Sequence, residues 1–186
     1  MYPQLMQIPI DEQKTSFFQA GDHLSDKKNH LWLIVDGVVK TYSLSEEGTS
    51  ITLGFWGKND LVGKSLSNIR NYKAKCLSDV RAIAIEQAQW QSLSNKLIYN
   101  QQQTQQLMYI VHNARIAKRL WLLLIWLVDK FGKTIEQGKL IDFQLTHQEL
   151  AEAIGTTRIT VTKTLNQFER EGLILRPKTK CIIIKE

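Results

Sequence analysis

The chain has 186 residues, 43% of them hydrophobic, with 24 Lys and Arg against 18 Asp and Glu for a formal charge of +6. That is enough apolar material for one large or two small cores, and the mild positive balance favours a polyanionic partner without specifying one. Two distant cysteines, Cys76 and Cys181, offer neither a disulfide framework nor metal-ligand spacing, which points to a reducing compartment. The longest apolar run, Leu120 to Val128, falls short of the roughly 18 residues that a membrane span needs, and MYPQLMQIPI lacks the basic start and long apolar segment of a secretory signal.

The first part of the chain reads as β-rich. Leu31 to Val35 and Val38 to Tyr42 are β-branched and aromatic runs separated by Asp36-Gly37, a strong hairpin signal. A second turn at Glu46-Glu47-Gly48 leads into Ser50 to Trp56, and the alternating Ala82 to Ile85 closes the region. Short strands with frequent turns predict a barrel or jelly roll over 1–98. From about Ala88 the pattern turns helical. A long helix is predicted over 99–130, where Leu107, Ile110, Ala114, Ala117, Trp121 and Leu124 follow the alternating three-and-four spacing of a coiled-coil seam. That seam implies a second copy of the chain. The competing reading is that it packs on the chain itself, and the wholly apolar Leu120 to Val128 end is expected to do so as well.

Phe131-Gly132 stops the helix and opens the third segment, 131–186, with a short strand expected over Leu140 to Leu145. In THQELAEAIGTTRITVTKTLNQFEREG, Thr146 and Glu149 form a capping box. Gly155 suits a left-handed helix end, and Thr156 or Thr157 can cap the next helix. Val161, Leu165 and Phe168 would pack that helix on Leu150, Ala151 and Ile154, leaving Arg158, Thr160 or Thr162, and Lys163 outward. Two strand-like runs then flank Pro177-Lys178-Thr179-Lys180, as the wing of a winged helix-turn-helix does. Arg158 can bond a guanine bidentately, Thr162 and Lys163 can reach base edges, and Ile159 offers apolar contact to a thymine methyl. Thr146, Gln148, Thr157, Thr160, Lys178 and Lys180 are assigned to the DNA backbone.

The order barrel, dimer helix, winged helix-turn-helix, with LTHQELAEAIGTTRITVTKTL and the upstream Arg119-Leu120 and Asp129-Lys130-Phe131-Gly132, resembles the CRP/FNR family of transcription regulators, and within it the NtcA-type nitrogen regulators of cyanobacteria and their red-algal plastid relatives. The resemblance covers nearly the whole chain. It implies an α+β fold with an N-terminal double-stranded β-helix of the cyclic-nucleotide-binding type. It further implies a homodimer on double-stranded DNA of GTA…TAC type, activation of nitrogen-related genes, and a place in the bacterial cytoplasm or plastid stroma. Contact with RNA polymerase would fall to the loop at about Thr134 to Leu140. No catalysis and no membrane partner are implied.

The resemblance also implies an effector pocket, here at Val62, Gly63, Lys64, Ser65, Lys96 and Asn100. The glutamate and the arginine-serine pair of cyclic-nucleotide binders are missing from this stretch. For 2-oxoglutarate, the family's carboxylate-binding helix arginine falls at Asn100, and asparagine cannot neutralise a carboxylate. Three readings stay open: Lys64 or Lys96 supplies the charge, the ligand differs, or sensing is lost. The competing functions are a cupin-type barrel enzyme, which needs histidine pairs this chain lacks, and a protein-binding scaffold.

Overall fold

A computed structural model describes residues 15–25, 30–177 and 181–185. They form two compact units, one from the residues up to Thr49 with Leu53–Gln105, the other from Ser50–Thr52 with Gln106–Glu186.

The chain begins with strands β1 (Thr15–Phe18), β2 (His30–Asp36), β3 (Val39–Leu44), β4 (Ser50–Trp56), β5 (Leu61–Val62), β6 (Tyr72–Cys76) and β7 (Val80–Glu86). They make a four-stranded sheet in the order β1-β7-β2-β5 and a three-stranded sheet in the order β4-β3-β6, the two layers of a jelly roll. Strand β2 shows why its sequence is apolar without alternation. Trp32 and Ile34 join Val39, Trp56 and Ala74 in one core, while Leu31 and Leu33 join Leu61, Ile83 and Leu93 in a second. A strand buried on both faces has no polar side to show.

Asp36-Gly37 does not close a hairpin. Strand β2 pairs with β5 and β7, whereas β3 pairs with β6 and β4, so the chain crosses here from one sheet to the other. The glycine is needed for two reasons: its φ is +89°, and a Cβ would stand 2.1 Å from the Asp79 carbonyl oxygen. The turn at Gly48 does join neighbouring strands, β3 and β4.

After a 3₁₀ turn at Gln87–Leu93 come helices α1 (Ser94–Val111) and α2 (Ile116–Phe131). The helix expected to run unbroken over 99–130 is therefore interrupted at 112–115. The cause is local: the His112 ring stands 2.8 Å from the Met108 carbonyl, and the Asn113 amide donates to Tyr109 O at 2.9 Å and Ile110 O at 3.4 Å. Side chains that satisfy the last carbonyls end a helix as effectively as a glycine does.

The seam is corrected as well. On α1 the row Lys96, Asn100, Gln103, Leu107 and Ile110 is buried within the chain. On α2, Leu120, Leu123, Leu124, Leu127 and Val128 are buried in the second unit, and Trp121 meets Phe168 edge to face with ring centroids 5.5 Å apart. Only Ala114 and Ala117 of the six seam residues are exposed. Three-and-four spacing marks a buried helix face; it does not say what buries it.

The second unit continues with β8 (Gly132–Ile135), β9 (Gly138–Ile141), α3 (His147–Ile154), α4 (Arg158–Arg170), β10 (Ile174–Leu175) and β11 (Ile182–Ile184). The strands form one antiparallel sheet in the order β10-β11-β9-β8. The polar stretch after α2, expected as a loop, is thus a hairpin, and the strand expected over Leu140 to Leu145 ends at Ile141. Arg119 ties the break between α1 and α2 to the helix-turn-helix, donating from Nε to Asn113 O and from Nη1 to Ile154 O at 3.2 Å.

Candidate nucleic-acid interface

Helix α3 starts where the capping box places it. Thr146 Oγ1 accepts from Glu149 N at 3.1 Å, and Glu149 Oε2 accepts from Thr146 N at 2.9 Å. Gly155 ends the helix in the left-handed conformation, φ 65° and ψ 53°. Thr157 then caps α4, its Oγ1 accepting from Thr160 N at 3.2 Å. Leu150, Ala151 and Ile154 of α3 and Val161, Leu165 and Phe168 of α4 are all buried, which fixes the roll of α4 about its own axis.

What that roll leaves outward is a short row at the start of α4. Arg158 is its first residue and is exposed, Ile159 is 68% exposed, and Lys163 is exposed one turn on. Thr162 is only half-buried, and its hydroxyl is already committed: it lies 2.9 Å from the Arg158 carbonyl and 2.8 Å from His147 Nδ1. Thr146 is engaged in its cap, Thr160 Oγ1 lies 2.9 Å from Thr157 Oγ1, and Gln148 donates to Glu152 Oε1 at 3.1 Å. Lys178 and Lys180 lie outside the described residues. The strands on either side of them, β10 and β11, pair as Ile174 with Ile184 and Leu175 with Ile183.

Two residues not expected from the sequence join this surface. His147 and Arg176, with Arg158, Thr146, Gln148, Glu169 and Cys181, line a cleft of about 640 Å³. Arg176 is held firmly: Nε donates to Glu169 Oε2 at 3.1 Å, and Nη2 to Asn166 Oδ1 at 2.6 Å. The hydrogen bonding from the Arg176 side chain holds the Glu169 carboxyl below its ordinary range. Burial, and then the charges of Arg176 and Arg158, lower the pKa of His147. The signal was available in sequence only as a histidine beside the N-cap; its convergence with Arg176, 29 positions later, is tertiary.

The expected effector residues separate. A cleft of about 440 Å³ in the first unit is lined by Asn100 together with Thr41, Leu53, Trp56, Leu61, Leu66, Ser67, Ile69, Tyr72, Leu97, Gln101 and Thr104. Val62 belongs to the jelly-roll core, and Gly63, Ser65, Lys64 and Lys96 do not line the cleft. Asn100 spends its amide on the backbone of β5, donating to Leu61 O at 2.6 Å and accepting from Leu61 N at 3.3 Å. Lys96 donates to Asn59 O at 3.5 Å. Burial lowers its pKa while the Asp60 charge opposes the shift. Lys64 donates to Ile69 O and stands 5.9 Å from the centre of the Tyr72 ring. Among the described residues, none that lines the cleft carries a charge at neutral pH. Burial also keeps the Tyr72 phenol protonated and pushes the Cys76 thiol up to about 12, so that cysteine is inert.

A jelly-roll unit followed by a winged helix-turn-helix with an exposed arginine at the head of its second helix defines a class, the two-unit transcription regulators. Comparison with known proteins agrees. Residues 12–97 match the cyclic nucleotide-binding domain family, and residues 114–186 the Crp-like helix-turn-helix domain family, whose first residues fall at the break between α1 and α2. Regulatory protein CysR of Synechococcus elongatus is 34% identical over 160 residues, covering 84% of this chain and 77% of that protein. The global nitrogen regulator of Synechocystis is 28% identical over 194 residues, covering 94% and 82%. A CRP-family transcriptional regulator from Thermus thermophilus superimposes with a TM-score of 0.79 over 92% of each chain at 20% identity, which speaks for the fold. The chain belongs to the CRP/FNR family of transcription regulators. These relatives are regulators, which sets the cupin-type enzyme aside.

Proposed function

We propose that this chain acts as a homodimer that reads a pseudo-palindromic, GTA…TAC-type DNA site through α4, with Arg158 on a guanine and Ile159 on a thymine methyl. The observation that carries this is the composition of the exposed head of α4: a bidentate donor, an apolar side chain and, one turn on, the point charge of Lys163. Two copies related by a two-fold axis would present two such heads about one helical turn of DNA apart. The second surface this needs is supplied by α1 away from its buried row. Ile98 and Tyr109, 58% and 68% exposed, lie eleven residues apart and so on the same helix face, with Met108 beside them. Such a regulator works wherever its DNA lies, in a bacterial cytoplasm or a plastid stroma. RNA polymerase would meet the β8–β9 hairpin, whose Lys133, Thr134 and Glu136 are exposed.

Selection of bound sequences from a random DNA pool tests the reading. The expected product is an inverted repeat with half-sites about ten base pairs apart centre to centre. Unrelated single half-sites, or no enrichment, would overturn it.

For control, the reading is that 2-oxoglutarate is not the effector. Asn100 is spent on Leu61 and the cleft lining carries no charge, so a bound dicarboxylate would lie unpaired, at a cost of several kcal/mol. Titrating the purified protein with 2-oxoglutarate is expected to give no binding heat and no gain in DNA affinity. A saturable signal abolished by Lys64→Ala or Lys96→Ala would reverse this. Because CysR at 34% identity and the nitrogen regulators at 28% differ in what they are named for, the selected half-site rather than kinship should identify the target genes.

A further inference from the structure

We propose that DNA binding by this protein takes up a proton on His147, whose second imidazole nitrogen donates to a backbone phosphate in the cleft between the start of α3, the head of α4 and Arg176. The inference rests on the DNA-binding reading above and adds a titratable contact to it.

The hydrogen-bond chain at Thr162 points to it. A threonine hydroxyl has one proton, and here it is given to the Arg158 carbonyl at 2.9 Å. Towards His147 Nδ1, 2.8 Å away, the same oxygen can then only accept. Both contacts are hydrogen bonds only with a hydrogen on Nδ1. In the neutral imidazole this leaves Nε2 as a bare lone pair, which no phosphate oxygen can approach as a hydrogen-bond partner. Once protonated, Nε2 becomes a charged donor with Nδ1 undisturbed. Contact with phosphate and protonation are thus one event.

The surroundings set the direction. Around His147, α4 contributes Arg158 and Glu169 and the chain after β10 contributes Arg176; these line the cleft with Gln148 of α3 and with Cys181. Glu149 is turned to the Thr146 cap, and Glu152 to Gln148. Glu169 is paired with Arg176, and partial burial, then the charges of Arg176 and Arg158, favour the neutral ring in the unbound protein and hold its pKa below the ordinary imidazole value. A phosphate in the cleft adds the anion that is missing and raises that pKa. A group whose pKa is higher in the complex strengthens binding most at low pH, and its contribution fades as pH rises through the pKa of the complex. Each protomer then contributes up to about a tenfold fall in affinity per pH unit, and a dimer up to about a hundredfold.

The test is a set of binding isotherms for the wild-type protein between about pH 5 and 8 at fixed ionic strength, on the selected duplex and on a random one. It is paired with an NMR titration of the four imidazoles (His23, His30, His112 and His147) with and without DNA. The expected results are a falling affinity on both duplexes, an upward shift of the His147 titration alone, and a flat profile for His147→Gln, whose amide donates at every pH. Flat wild-type binding, an unshifted His147 resonance or a slope that persists in His147→Gln would each overturn the proposal while leaving DNA binding intact. No binding to any duplex at any pH would instead remove the DNA-binding reading on which it rests.

Discussion

Replacing Arg158 with alanine is expected to weaken binding to the selected duplex by about 1–3 kcal/mol per half-site while changing affinity for random DNA far less. The reason lies in how the residue is held. Arg158 is the first residue of α4, set by the Thr157 cap in front of it, and its carbonyl is taken by Thr162, which is itself fixed by His147. The cap fixes where the side chain starts, and the planar guanidinium fork matches O6 and N7 of a guanine with two parallel hydrogen bonds. Arg158→Lys separates charge from geometry, since lysine keeps the first and loses the second. Fluorescence anisotropy on both duplexes reads the outcome. Equal losses on specific and random DNA would make Arg158 a phosphate contact and pass base reading to Ile159 and Lys163.

The second large effect concerns Leu124, which the coiled-coil spacing assigns to the dimer and the structure buries inside the second unit. Leu124→Ala is expected to lower the unfolding free energy of that unit by about 2–5 kcal/mol, the range for a leucine cut back in a packed core. It should leave the association constant of the folded chain unchanged. Tyr109→Asp is expected to do the reverse: little change in stability, because the side chain is 68% exposed, and a marked shift toward monomer. Denaturant melts and sedimentation equilibrium on the two variants distinguish these results. Dissociation of a fully folded Leu124→Ala protein would restore the original seam.

The elements legible from the sequence are those whose cause is local. The Thr146–Glu149 box, the left-handed Gly155 and the Thr157 cap depend on residues three or four apart, and each sits where its residue types require. The same holds for the apolar faces of α3 and α4, and with them for the outward direction of Arg158 and Ile159. The break at His112-Asn113 is also local, since both side chains bond carbonyls three or four residues back, yet periodicity hides it because the apolar spacing runs straight across.

Tertiary structure decided the rest. Asp36-Gly37 reads as a hairpin because the dipeptide reports a sharp turn and nothing about which strands lie beside each other; here the chain passes between two sheets. The seam spacing reports burial without its source. The pocket residues near Lys64 and Lys96 are neighbours of the cleft in sequence, but their amines are drawn to Ile69 O and Asn59 O, and Asn100 closes on Leu61 rather than facing a ligand. His147 and Arg176 come together only because the sheet brings the end of β10 back beside α3 and α4. Turn chemistry, caps and helix faces are properties of a few consecutive residues, so the chain alone determines α4 and the side chains at its exposed head. Which residues bury an apolar helix face, and which charges share a cleft, depend on contacts between residues far apart in sequence, and only the folded chain establishes them.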